Sequence, residues 1–179
     1  MVGTANPPRV AKVSRWMARL CAFLVVTVPL ANAAIVFGDP EQAIANNDLA
    51  RFGITAIDGP DQYTVFAIST LFSLPLLWGL LQLRRLFVCY SRGEIFSRAA
   101  ARYLSRFALA LLLGAVATVL ERTAMVAALT MHNPPGSRSL IVALGSPEIA
   151  TAFVGVIFMI IAWVLGEAAA VAEDHRGFV

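Results

Sequence analysis

Four apolar runs, each near the roughly 20 residues needed to cross a bilayer core, constrain this chain more than any other feature. They are Trp16 to Phe37, Tyr63 to Leu83, a third through Phe107 to Leu120 and Thr123 to Met131, and Ile149 to Gly166. Inside a bilayer only helices and closed barrels satisfy every backbone hydrogen bond, and runs of this length predict helices. Arg19 interrupts the first run but is long enough to reach the interface. The second holds no charge and carries Pro75 near its middle, where a kink is expected. The fourth opens on Ser146-Pro147-Glu148, which reads as an N-cap, a first helical residue and an acid favoured by the helix dipole.

The third run is the weakest. Its charge-free stretch of 14 residues rises only about 21 Å, short of a hydrocarbon core of roughly 30 Å. Glu121 and Arg122 then intervene before the apolar pattern resumes. Parity favours a true span, because without it the basic loop before and the loop after would lie on one side. The expected spans are therefore residues 16–37, 63–83, 104–130 and 148–168.

Charge gives the orientation. Arg9, Lys12, Arg15 and Arg19 precede or open the first span. Arg84, Arg85, Arg92, Arg98, Arg102 and Arg106 lie between the second and third, and Arg176 is in the tail. Together these are 11 of the 14 cations. The other side holds Arg51, Arg122 and Arg138, with Asp39, Glu41, Asp48, Asp58 and Asp61 in the loop from Gly38 to Gln62. Positive charge stays inside, so both termini are expected in the cytoplasm. The expected fold is all-α: a four-transmembrane-helix bundle, N-in/C-in, with a cytoplasmic amphipathic start to its third helix and a helical acidic C-terminal tail. One alternative concerns the first run. Leu20 to Leu30 followed by Ala31-Asn32-Ala33 has the form of a cleavable signal peptide, although the apolar stretch continues to Phe37 and fills a span.

Composition supports a membrane protein and argues against other classes. Hydrophobic residues are 59% and charged residues 14%, against about 45–50% and 25% in soluble chains. The net charge of +3 comes from cations that bracket apolar runs and form no nucleic-acid footprint. Cys21 and Cys89 form no CxxC pair and read as small buried or lipid-facing thiols. His132 and His175 fall on opposite faces with no partnered nucleophile. No HExxH, GxSxG, P-loop or dinucleotide pattern occurs. No catalytic, cofactor-binding or metal-ligating residue is expected. The loop from Gly38 to Gln62 is too long for a tight turn and has no strong periodicity. The next, Met131 to Ser146, holds a turn-rich His132-Asn-Pro-Pro-Gly and an apolar Leu140 to Leu144 that reads as a short strand or a packed stretch.

Three features stand out as candidate sites. Glu121 is an ionisable residue within a span, with Ala110, Gly114, Ala117 and Thr118 one to three turns before it near the same face. It reads as a proton or cation relay, or as a structural carboxylate paired with Arg122, Arg51 or backbone. Arg98, Arg102 and Arg106 recur every four residues at the start of the third helix. Ile95, Ala99, Tyr103 and Phe107 recur on another side, with Ser97 a candidate N-cap and Phe96 its staple. This segment suits anionic lipid headgroups or an acidic partner. Beyond Gly166 the helix continues with Glu167, Glu173 and Asp174, acids expected to pair with Arg84, Arg98 or Arg102.

The segment Leu86-Phe-Val-Cys-Tyr-Ser-Arg-Gly-Glu-Ile-Phe-Ser-Arg98 and the ending Glu167-Ala-Ala-Ala-Val-Ala-Glu-Asp-His-Arg-Gly-Phe-Val179 resemble the signatures of the bacterial membrane family DUF2975. In this tail Asp174-His175 stands where the family commonly has Glu-Asn. The resemblance covers essentially the whole chain and marks Arg92, Gly93, Glu94, Phe96, Glu167 and Phe178 as motif positions. The family is uncharacterised, so no activity carries over. Some relatives are encoded beside small helix-turn-helix regulators, which implies sensing or signalling. Physically, Gly93 permits a tight turn and Phe96 anchors at the interface. The expectation is a non-enzymatic protein of the bacterial inner membrane, a sensor or accessory subunit. It would act through its cytoplasmic loop and tail on a protein partner or a second copy. The alternative is a small transporter or channel using Glu121.

Overall fold

The computed structural model describes residues 8–46, 49–52, 54, 56–57, 59–131 and 144–177, excepting the side chains of 8, 51–52 and 173–177. The described residues form five helices and one 3₁₀ turn: α1 (Pro8–Gly38), α2 (Pro40–Asn46), the 3₁₀ turn (Leu49–Phe52), α3 (Gly59–Ser91), α4 (Arg98–Thr130) and α5 (Ser146–Gly177). Four of them, α1, α3, α4 and α5, are long and apolar enough to cross a membrane. No strand occurs among the described residues. The run Leu140 to Leu144 and the turn at His132 lie almost wholly outside them.

The third span, doubtful from its charges, is one helix of 33 residues through Glu121 and Arg122. At 1.5 Å per residue it is about 50 Å long, ample for the core. Pro29 and Pro75 likewise sit inside unbroken helices, and α5 continues past Gly166 into the tail.

Helix ends follow local chemistry. Gly93 has φ 86°, a left-handed conformation that costs a side-chain-bearing residue about 1–2 kcal/mol. There Gly93 N–H donates to the Tyr90 carbonyl at 3.1 Å and Glu94 N–H to the Cys89 carbonyl at 3.1 Å. This bond pair is a Schellman closure of α3. Four residues after Gly93, Ser97 is the N-cap of α4, its hydroxyl oxygen accepting from Ala100 N–H at 3.1 Å. The cap of α5 differs from expectation by one residue. Ile149 N–H donates to the Gly145 carbonyl at 3.4 Å, so Gly145 is the cap and Ser146 lies inside the helix. Glu148 reaches back to accept from Gly145 N–H at 2.9 Å, the carboxylate half of a capping box.

The loop from Gly38 to Gln62, which lacks a strong period, folds into a cap. Asp39 accepts from Gln42 N–H at 3.2 Å and Pro40 takes the first helical position, so α2 starts on a standard stop-start signal. Ala43, Ile44, Leu49 and Ile57 from this segment are buried with Val36 of α1, Val65 of α3 and Met125 and Val126 of α4. Leu49 is 0% exposed. We call this the cap end and the opposite one, which holds the α3–α4 turn, the basic end.

Packing runs in chain order: α1 on α3, α3 on α4, α4 on α5, with α2 against α1. No extended α1–α5 interface exists among the described residues. Small residues set the spacing. A Cβ at Gly79 would lie 2.8 Å from Ala110 Cβ, and one at Gly155 would lie 3.0 Å from Leu112 and 3.3 Å from the Ala108 carbonyl. So α4 is the shared wall, close to α3 on one side and to α5 on the other, as small residues permit in membrane helices. A second apolar cluster, Leu86, Ala100, Leu104 and Ala162, fills the basic end of α3, α4 and α5.

Candidate functional site

Between these two dry clusters lies a crevice of about 310 Å³. All four long helices contribute to it: Asn32 from α1, Ser69 and Ser73 from α3, Thr118 and Glu121 from α4, and Thr151 from α5. α1 and α5 flank the α3–α4 pair without an extended interface of their own among the described residues. Counting 1.5 Å per residue, Glu121 is about 14 Å along α4 from its cap end and Ser69 about 15 Å along α3. The antiparallel helices therefore bring their polar residues to one level. Phe72, Leu76, Phe107 and Leu111 line the rest. Gly114 also lines it, and a Cβ there would meet nothing within 4 Å.

The hydrogens of the crevice hydroxyls are already committed. Ser69 donates to the Phe66 carbonyl at 3.2 Å, Ser73 to Thr70 at 2.8 Å, Thr118 to Gly114 at 3.0 Å and Thr151 to Pro147 at 2.9 Å. The Asn32 amide donates to Ser69 Oγ at 2.8 Å, joining α1 to α3. Hydroxyl oxygens keep lone pairs after donating. The polar surface left for a ligand is thus mostly acceptors, with the second Asn32 amide hydrogen a donor beside them.

Glu121 makes no hydrogen bond or salt bridge with any described residue. Its expected pairing with Arg122 is not found. Adjacent helix positions diverge by about 100°, so the two side chains point to different neighbours. Arg122 turns to α5, its guanidinium 3.5 Å from a Glu148 carboxylate that is 3% exposed. The side chain of Arg51, the other expected partner, is outside the described residues. Of the small residues read beside Glu121, Ala110, Gly114 and Thr118 line the crevice with it, and Ala117 is buried without lining it. Two buried side-chain oxygens elsewhere, Thr70 Oγ1 and Gln82 Oε1, have no hydrogen-bond partner among the described residues.

At the basic end, Arg92, Glu94 and Arg98 are exposed and Phe96 is 73% exposed. Phe96 therefore does not act as a packed staple. Arg98 and Arg102 line a groove of about 840 Å³ between α4 and α5, together with Ser105, Trp163 and Glu167. Among the described residues, the tail acid that faces the arginine stripe is thus Glu167. Arg84 is exposed and does not line that groove. The side chains of Glu173 and Asp174, and all of Phe178, fall outside the described residues. Two features escaped the sequence reading. The pairing partner Glu148 was read only as a dipole acid, and Asn32 only as part of a signal-peptide motif. A polar residue in an apolar span was the available signal for Asn32.

These helices, with polar groups gathered between them and apolar surface outward, define a helical multi-pass membrane protein. The model for the family described as a protein of unknown function, DUF2975, matches residues 22–176, and the chain belongs to that family. Comparison with curated proteins and with solved structures returned no match for this chain.

Proposed function

We propose that the chain is a non-enzymatic sensor or accessory protein of the bacterial inner membrane, with both termini and the Arg92–Ser97 turn in the cytoplasm. The sidedness rests on the placement of 11 of 14 cations at one end and the positive-inside rule. The observation that carries the partner reading is the turn itself. The Schellman closure at Gly93 and the Ser97 cap hold it at both ends, and Phe96 stands 73% exposed at its tip between Arg92, Glu94 and Arg98. A rigid, exposed aromatic flanked by charges is the composition of a binding hot spot, since little ordering entropy is lost on docking. Anionic lipid headgroups gather around Arg98, Arg102 and Arg106 in the same reading. A photo-crosslinking residue at Phe96, activated in native membranes, should give a discrete protein adduct, with a partner or a second copy. Gly93→Val should abolish it by unfastening the turn. Adducts to lipid alone refute the reading.

One observation favours a second reading, a small transporter or channel. Glu121 lies in a crevice between helices without a salt bridge to a described residue, and such acids mark ion and substrate paths. Flux in proteoliposomes that disappears with Glu121→Gln supports it, and flux unchanged by that substitution removes it.

A further inference from the structure

We propose that the crevice is a binding site for a primary ammonium carried on a small apolar or aromatic body. The proposal is independent of what the Arg92–Ser97 turn engages.

Three properties of the crevice select this chemistry. The first is charge: Glu121 supplies a carboxylate with no hydrogen bond or salt bridge to a described residue, and the neighbouring cation, Arg122, is held 3.5 Å from Glu148. A cation that enters is attracted, and an anion is repelled in surroundings of low dielectric. The second is hydrogen-bond polarity. Ser73, Thr118 and Thr151 spend their hydrogens on backbone carbonyls, and Asn32 spends an amide hydrogen on Ser69. What remains is mostly lone pairs, on three hydroxyls, the Asn32 carbonyl and the carboxylate, beside the second Asn32 amide hydrogen. An –NH₃⁺ group carries three donors and no acceptor, the complement of that set. A carboxylate or phosphate ligand has no donor to offer it. A quaternary ammonium carries the charge without the donors.

The third property is the wall and the size. Phe72 and Phe107 line the crevice with Leu76 and Leu111. Aromatic faces attract cations and accept apolar bodies alike. A volume of about 310 Å³ is at the small end of ligand pockets. It suits an arylalkylamine and is too small for a phospholipid.

The test uses the full chain in nanodiscs, with radiolabelled phenethylammonium as the probe. Three unlabelled competitors separate the contributions: phenethylammonium, its trimethylated form, which keeps charge but loses N–H donors, and propylbenzene, its neutral isostere. Saturable binding is expected. The trimethylated compound should compete at least tenfold more weakly, and propylbenzene should not compete. Glu121→Gln should weaken binding at least tenfold. Gly114→Leu should block it by filling the crevice, into which a Cβ at this position projects without meeting anything within 4 Å, and its thermal midpoint reports whether the variant folds. Absence of saturable binding, equal competition by propylbenzene, or full binding in both variants overturns the proposal. If Gly114→Leu does not fold, Glu121→Gln and the competitors still decide the question.

Discussion

The closest approach between long helices gives the most quantitative prediction. An alanine at Gly79 would put its Cβ 2.8 Å from Ala110 Cβ, whereas non-bonded carbons prefer about 3.5–4.0 Å. Both atoms are fixed to their backbones, so no rotamer change relieves the contact. Relief requires α3 and α4 to separate by about 1 Å, which loosens the packing of Phe107 against Gly79 as well. Overpacking of this kind costs about 1–3 kcal/mol, and about 2 kcal/mol is expected here. The exchange Gly79→Ala with Ala110→Gly moves the methyl group across the seam and removes the clash at constant volume. The double variant should therefore be more stable than the sum of the singles by about 1–2 kcal/mol, a coupling that a double-mutant cycle isolates. Unfolding of the four proteins in the same detergent, followed thermally, measures it. With roughly 2–4 °C per kcal/mol for a domain of this size, Gly79→Ala should lose about 4–8 °C. An unchanged midpoint for Gly79→Ala, or additive effects within about 0.3 kcal/mol, would refute the close-contact argument.

Other consequences are open to measurement. Arg122→Met leaves the buried Glu148 carboxylate without its cation and should cost about 3–5 kcal/mol, most of it recovered in the double variant with Glu148→Met. Equal losses in the single and double variants, read by thermal unfolding, would show that the ion pair is not what matters. Gly93→Val forces a β-branched residue to φ 86° and should cost about 1–3 kcal/mol, whereas Ser97→Ala should cost about 1 kcal/mol through the lost cap. The two should be ranked in that order by the same assay. Asp39→Ala should raise hydrogen exchange in α2 and the 3₁₀ turn while α3 and α4 stay protected, since its bond to Gln42 caps only α2.

What the sequence discloses here divides by range. The long helices were legible because apolar length is a local property, and so were the Gly93 turn and the Ser97 cap, whose signals lie within a few residues. The continuation of α5 through Glu167 was equally readable, as nothing after Gly166 breaks a helix. The cap segment was harder. Asp39-Pro40-Glu41 is a helix start, but α2 has seven residues, fewer than two full turns, and too short for a periodic apolar face to declare itself. Pairing across helices was not legible at all. Whether Arg122 meets Glu121 or Glu148 depends on the register of α4 against α5, which the Gly155–Leu112 approach fixes and no local pattern encodes. The crevice is a property of which helices fail to pack, so its membership of Asn32 and Thr151 appears only in three dimensions.

The depth of Glu121 has an electrical consequence. Moving one elementary charge through the whole membrane potential is worth about 2.3 kcal/mol per 100 mV. Glu121 is about 14 Å along α4 from its cap end, roughly a third of the way through the expected span, so a monovalent cation arriving there from the nearer aqueous phase crosses roughly a third of the field, or about 0.8 kcal/mol per 100 mV. Occupancy of the crevice would then change about fourfold over that range of potential. The four helices would report the energisation of the membrane through how often the site is filled.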